Sequence, residues 1–365
     1  MRIAFLQTPI ASLDLNHTGG MEVVELSEMA ELQRRGVEAC LYAARVKGER
    51  KDVRQLSDWG QRNRLAKYRY YYRFAQQERL ADVFHGHYTP ALALTHPDKS
   101  VVHFHGLAVQ EIPAYRYFAD RCHRAHYVFC SRFVAEHFIE RYPRIPDNHL
   151  HVIHNGVDAG QFRPAQLDDR QGAVTRIIFY AGWHPRKGIY ELLDAVALLE
   201  SRRQDFELYF GGSAFSHYRG LDSEEIDRKV RERAAGLHCV RLMGHLPHEK
   251  VPDLLRTMDL GVVPSLWEPF GLVALEMMAS GLPVVASRVG GLKEVLVEGE
   301  TGYLVENKNV RRLAAALEAL IDNPELRLQM GRKGRQRVEE CFTWDRHVDQ
   351  LMGIYEQIMR RSARA

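Results

Sequence analysis

Ser265-Leu-Trp-Glu-Pro-Phe-Gly-Leu-Val-Ala-Leu-Glu-Met-Met-Ala-Ser-Gly-Leu-Pro-Val-Val-Ala286 decides how this chain folds. An apolar run, Leu260–Pro264, ends just before it, and a second, Pro283–Ala286, closes it. Between them lie a loop carrying Glu268, a helix starting near Gly271 and carrying Glu276, and a Gly281-Leu-Pro stop. Continuous apolar strands separated by helices belong to a parallel α/β sheet, whose strands are buried on both faces. The first amides of such a helix have no backbone partner and carry partial positive charge, which suits a phosphate. Gly271 has no Cβ and lets a ligand come close. Read alone, Glu268 is a solvated loop acid and Glu276 a helix surface charge. In this strand–loop–helix setting they flank a ligand, each offering acceptor oxygens to vicinal hydroxyls of a sugar or a ribose.

The same alternation runs outward through the chain. Toward the N-terminus it predicts strands at Arg2–Gln7, Glu38–Ala43, Val83–His87, Ser100–His105, His126–Cys130 and His151–Ile153. Gly20–Arg35 reads as an amphipathic helix, with Met21, Val24, Leu26, Met29 and Leu32 as its apolar positions. Ser131 is an N-cap for a helix over Arg132–Arg141. Asn155-Gly156 makes a turn that Asp158 caps, and the polar stretch from there to Gly172 is the expected domain boundary. The second half adds strands at Thr175–Ala181, Phe206–Phe210, Cys239–Met243 and Gly302–Leu304, with helices at Gly188–Ser201 and Trp344–Arg361. No period of 20–50 residues repeats, which excludes a solenoid.

With 365 residues the chain exceeds what one core usually serves. The expected division is residues 1–165, residues 166–343 and a terminal helix, 344–365, that returns to the first domain. Charged residues are 27% and apolar ones 45%, ordinary for a globular protein. The net charge of +3 is too small to point to nucleic acid. Cys40, Cys122, Cys130, Cys239 and Cys341 lack ligand spacing and read as reduced thiols of a cytoplasmic protein. The N-terminus is a strand rather than a signal peptide, and no apolar run could span a bilayer.

The Glu-x7-Glu motif at Glu268 and Glu276 resembles glycosyltransferase family 4, the retaining transferases of the glycogen-synthase and mannosyltransferase group with the GT-B fold. Gly281-Leu-Pro-Val-Val-Ala-Ser-Arg-Val-Gly-Gly-Leu-Lys-Glu-Val and Gly299-Glu-Thr-Gly-Tyr-Leu-Val are similar to the family's next blocks. The resemblance implies two Rossmann-like, doubly wound parallel-sheet domains facing a cleft. It implies that Glu268 contacts donor-sugar hydroxyls and Glu276 the ribose, while amides around Phe270, Gly271 and Leu272 serve sugar and phosphates. Gly19 and Gly20, before the first helix, would close over the phosphates, and His105 would touch the sugar near the reacting carbon. Arg186 and Lys187, at a strand end, would stabilise the leaving diphosphate in place of a metal, since no Asp-x-Asp stands at a plausible strand end. The family often has Gly-Arg where this chain reads Gly182-Trp183, and Trp183 reads as a packing residue.

The expected activity is therefore retaining, metal-independent transfer of a hexose-type sugar. The donor is a UDP- or GDP-sugar, with UDP favoured, and no cofactor is expected. The acceptor is a glycan or lipid-linked saccharide, as in lipopolysaccharide or other cell-surface polysaccharide synthesis. A nucleotide-sugar epimerase and a non-catalytic sugar-nucleotide-binding protein are the competing readings. His85, His87, His103 and His105 raise a zinc site, which the sequence disfavours because no carboxylate or thiol stands at matching spacing. Residues 47–79 hold ten Lys/Arg, four acids and interleaved aromatics. That segment is expected to touch the acceptor or an anionic membrane surface.

Overall fold

The structure, a computed structural model, describes residues 1–7, 13–15, 20–56, 73–74, 81–89, 92–106, 122–143, 145–165, 174–214 and 222–363. Its contacts divide the chain into two compact units. One is Met1–Gly156 together with Trp344–Ala365, and the other is Val157–Thr343.

The first unit has a seven-stranded sheet among the described residues. From edge to edge its strands are Val53–Gln55, Glu38–Ala43, Arg2–Leu6, Val83–His87, Ser100–Phe104, His126–Phe129 and Leu150–Val152, every pair parallel. On one face Ile3, Phe5, Leu41, Val83, Val101 and Val128 pack under two helices. The Gly20–Arg34 helix supplies Met29 and Leu32, and the Trp344–Ser362 helix supplies Val348, Leu351, Ile354, Tyr355 and Ile358. The spacing of the latter set is the apolar stripe of an amphipathic helix, so the last helix is built into this core. Ser131 Oγ accepts from Val134 N at 3.2 Å and opens the Arg132–Arg141 helix.

The second unit has a six-stranded parallel sheet, in the order Val240–Gly244, Phe206–Gly211, Thr175–Tyr180, Leu260–Val263, Val284–Ser287 and Gly302–Val305. Chain order runs outward in both directions from its centre. The winding therefore reverses between Thr175–Tyr180 and Leu260–Val263, and ligands of doubly wound sheets bind outside the strand C-termini at such a reversal. The Leu272–Ala279 helix is buried nearly all round, as its apolar composition requires. Trp183 is a core residue: its indole Nε1 donates to the Gly211 carbonyl at 3.2 Å and its ring packs on Phe210. Asp158 Oδ1 accepts from the amides of Gly160 and Gln161, so the turn it closes lies at 158–161 rather than at Asn155-Gly156, where the backbone makes none.

Strand ends differ from the sequence reading by a residue or so. The short strands Leu13–Asp14, Val46–Lys47 and Val53–Gln55 were not foreseen, since two or three residues carry no periodic signal. Most of 47–79, and the loop 166–173, lie outside the described residues. No helix among the described residues is long and apolar enough to cross a membrane.

Candidate functional site

Two loops leave the sheet of the second unit at its reversal point. The first follows Tyr180 and makes a tight 3-10 turn, Pro185–Lys187. His184 caps this turn, its Nδ1 accepting from Arg186 N at 2.9 Å. Burial, and then the charges of Arg186 and Lys187, lower the His184 pKa, which favours the neutral ring that this acceptor role needs. Gly188 follows with φ +70°, and a Cβ there would lie 1.9 Å from the Pro264 carbonyl oxygen. Only glycine satisfies both the left-handed backbone and the close approach. Leu266 N then donates to the Arg186 carbonyl at 2.7 Å, which ties this loop to the one after Val263.

That contact brings three candidate residues together. Lys187 Nζ donates to Glu268 Oε2 at 2.7 Å, and Ser265 Oγ donates to the same oxygen at 3.2 Å. The Glu268 side chain is 11% exposed and that of Lys187 is 35% exposed. With its carboxylate buried and its ammonium half-buried, the pair fixes the two groups relative to each other. Arg186 is exposed, with no ion pair among the described residues. Gly291 N donates to the Glu268 carbonyl at 3.0 Å, and a Cβ on Gly291 would meet Pro269 O at 2.4 Å. The Gly290-Gly291 turn thus fixes the back of the Glu268 loop.

Gly271, at φ +116°, begins the Leu272–Ala279 helix without a side-chain cap. The first amides of that helix are thereby left for another partner. The Phe270 side chain is buried against Phe342, so only its backbone can serve a ligand. Glu276 is buried and doubly held: Tyr180 Oη donates to Oε2 at 2.5 Å and His248 Nε2 lies 2.9 Å from Oε1. The hydrogen bond to Glu276 is the main cause of a raised His248 pKa, while burial drives the Tyr180 phenol well above its usual range. Each carboxylate oxygen keeps further acceptor capacity.

The remaining candidates belong to the first unit. Gly20 starts the Gly20–Arg34 helix and is exposed, while Gly19 lies outside the described residues. His105 follows the Ser100–Phe104 strand, half-buried, with its Nε2 at 2.7 Å from His87 Nδ1 and its ring stacked on that of His87. Burial first, then the nearby imidazoles of His103 and His87, hold its pKa well below the ordinary histidine value.

Tyr180, Ser265 and His248 escaped the sequence reading; a tyrosine ending the central strand was the one available signal. A correction concerns the histidine-rich strands. The sequence offered no carboxylate near them, yet Glu28 reaches them from the Gly20–Arg34 helix, 3.3 Å from both His87 and His103. Position 28 falls on the buried stripe between Val24 and Leu32, which was its local signature.

Known proteins share these features. The family described as "Glycosyl transferases group 1" matches residues 170–337, and "Glycosyltransferase Family 4" matches residues 18–161. The chain is 33% identical over 204 residues to glycogen synthase of Mycobacterium tuberculosis, covering 56% of this chain and 47% of that protein. It is 36% identical over 217 residues to the MMP alpha-(1->4)-mannosyltransferase of Mycolicibacterium hassiacum, covering 59% and 50% respectively. The chain spans about half the length of the curated relatives it matches. The structure of Anabaena HepE in complex with UDP and glucose aligns with TM-score 0.78 and 18% identity over 98% of this chain and 99% of that one, a likeness of fold, GT-B. With one matching family description on each half and the Glu268 and Glu276 motif between strand and helix, the chain belongs to the family 4, group 1 glycosyltransferases.

Proposed function

We propose that this protein is a retaining, metal-independent glycosyltransferase that moves a hexose-type sugar from a nucleotide-diphosphate donor to a glycan or lipid-linked saccharide. The observation that carries the reading is the Lys187–Glu268 pair, set beside Arg186 and the uncapped start of the Leu272–Ala279 helix. Glycosyl transfer from such a donor passes through an oxocarbenium-like state while negative charge grows on the departing diphosphate. Arg186, Lys187 and the amides of Gly271 and Leu272 stabilise that charge from fixed positions, at no reorganisation cost. Glu268 accepts hydrogen bonds from sugar hydroxyls and Glu276 from the ribose, with Tyr180 and His248 orienting its carboxylate. His105, kept neutral, offers a ring nitrogen to the sugar, and Gly19 and Gly20 close over the phosphates. In same-face attack, the departing phosphate oxygen takes the acceptor proton.

The relatives, a glycogen synthase and a mannosyltransferase by name, support a hexose. HepE, whose structure holds UDP and glucose, supports a UDP donor. Residues 47–79 would contact the acceptor or an anionic membrane surface in cell-surface polysaccharide synthesis. Reversing the charges of Arg62, Arg64, Lys67 and Arg69 should then weaken vesicle binding or raise the acceptor KM, and no change in either removes that role. The decisive experiment is a thermal-shift panel of nucleoside diphosphates and their sugars, followed by NMR of the product's anomeric configuration. An inverted product ends the retaining assignment. Sugar turnover with no acceptor present points to an epimerase instead.

A further inference from the structure

Val83–His87 and Ser100–Phe104 are neighbours in the sheet, with His87 opposite His103 in register. His85 and His87 alternate onto one face, and the three rings lie side by side, with centroids 4.8–5.5 Å apart. Glu28 descends on them from the Gly20–Arg34 helix, and all four side chains have no solvent exposure. One carboxylate oxygen and one nitrogen from each ring lie within 4.8 Å of one another. Buried polar atoms are normally paired, because desolvation without a partner is expensive. Here Glu28 Oε2, His85 Nε2, His87 Nε2 and both nitrogens of His103 have no hydrogen-bond partner.

We propose that Glu28, His85, His87 and His103 form a buried site for a divalent transition cation of the zinc type. Glu28 Oε2 lies 3.3 Å from His87 Nε2, and the other carboxylate oxygen, Oε1, lies 3.3 Å from His103 Nδ1. Ligands at about 2.0–2.1 Å around tetrahedral zinc stand about 3.3 Å apart, which these two contacts match, while the full set, spread over 4.8 Å, would draw inward around the ion. Three imidazoles and one carboxylate suit zinc, whereas calcium and magnesium want oxygen. Metal-bound histidines usually have their second nitrogen held. His87 Nδ1 meets His105 Nε2 at 2.7 Å, and His85 Nδ1 meets the Tyr355 hydroxyl at 2.6 Å. His347 plays the outer role toward the carboxylate, its Nε2 at 2.8 Å from Glu28 Oε1 and its Nδ1 at 2.7 Å from the His154 carbonyl. The role is structural and goes beyond glycosyl transfer, although His105, which holds His87 Nδ1, is also the proposed sugar contact.

The test uses the full chain, stripped with a strong chelator and returned to zinc. One tightly held zinc per chain and a rise in Tm of about 5–10 °C at saturating metal are expected. Glu28→Gln and His103→Ala should lose both, and His238→Ala, at an exposed histidine, should lose neither. Cobalt added to the wild-type protein should give the intense visible spectrum of four-coordinate metal with nitrogen ligands, a readout that needs no variant to fold. No bound zinc, a pale six-coordinate cobalt spectrum, or zinc retained unchanged in a folded His103→Ala variant each overturns the proposal.

Discussion

Lys187 and Glu268 stand 81 residues apart in the chain, yet ammonium and carboxylate meet at 2.7 Å where two strand-end loops touch. Either group alone would be a surface charge. Together, with Ser265 on the same oxygen, they fix the spacing between the cation proposed for the phosphates and the acceptor proposed for the sugar.

Lys187→Ala, Arg186→Ala and Glu268→Ala should each lower kcat by about 10²–10³-fold, the range for loss of one preorganised charge-stabilising group. Arg186→Ala should melt close to wild type, whereas Lys187→Ala also leaves the buried Glu268 carboxylate without its cation and should lower the melting temperature. Steady-state kinetics beside calorimetry separates the two effects. A Lys187→Ala enzyme within a few-fold of wild-type kcat would remove the phosphate role.

On the proposed role of Arg186 and Lys187, turnover should proceed at full rate in EDTA and gain nothing from added Mg²⁺ or Mn²⁺. Initial rates over minutes are the right measurement, as a cation sealed under the first unit's helices exchanges slowly. Strict dependence on added Mn²⁺ or Mg²⁺ is the contrary result.

His248 gives the second unit a pH dependence of defined sign. Its pKa is raised in the fold by Glu276, so the unfolded chain releases the proton at lower pH than the folded one. The stabilisation is complete below about 6.5, the free-histidine value, and is lost as pH climbs through the raised one. Tm should therefore decline on the alkaline side of neutrality in the wild type, and His248→Gln should flatten that decline. Identical slopes would show that the pair is not coupled to folding.

His126 and His151 act in the opposite sense. Burial, then neighbouring histidines, push their pKa values down to about 3 and about 4, and their rings meet at 3.0 Å from Nδ1 to Nε2. The unfolded chain takes up protons below about 6.5 that the folded chain refuses until near those values. Stability should fall as pH drops from about 6.5 toward 4. Circular-dichroism melts across that range should show a shallower fall in a His126→Leu, His151→Leu double variant.

Gly188→Ala should destabilise by roughly 2 kcal/mol or more, combining a left-handed backbone with a clash against the chain itself. The obstacle is the Pro264 carbonyl, which cannot swing aside as a side chain could. Denaturant melts give the number, and a loss under about 0.5 kcal/mol would mean that the two loops are not locked together.

The parallel α/β class was legible because buried strands such as Leu260–Val263 and Val284–Ser287 are short, largely apolar runs with turn residues near their ends. Glu268 and Glu276 were legible because motif and local context coincide within a dozen residues. Tyr180 and His248 were not, since each acts through Glu276 from a distant part of the chain. Glu28 and His347 are separated by 319 positions, a pairing that no window of local periodicity contains. An acid on a buried helical stripe was the local clue, and it gains meaning only once the facing histidines are known.

The last helix also governs when the molecule can be finished. His347 and Tyr355 close over the buried histidines, yet they leave the ribosome only after the whole of the second unit. The second unit is continuous and can assemble as it emerges, while the first waits for roughly 200 further residues after Gly156. At synthesis rates of about 5–20 residues per second that delay is on the order of 10–40 s. Through that interval the Gly20–Arg34 helix covers that face of the sheet without its partner helix, and any chain lost after Thr343 would keep it so.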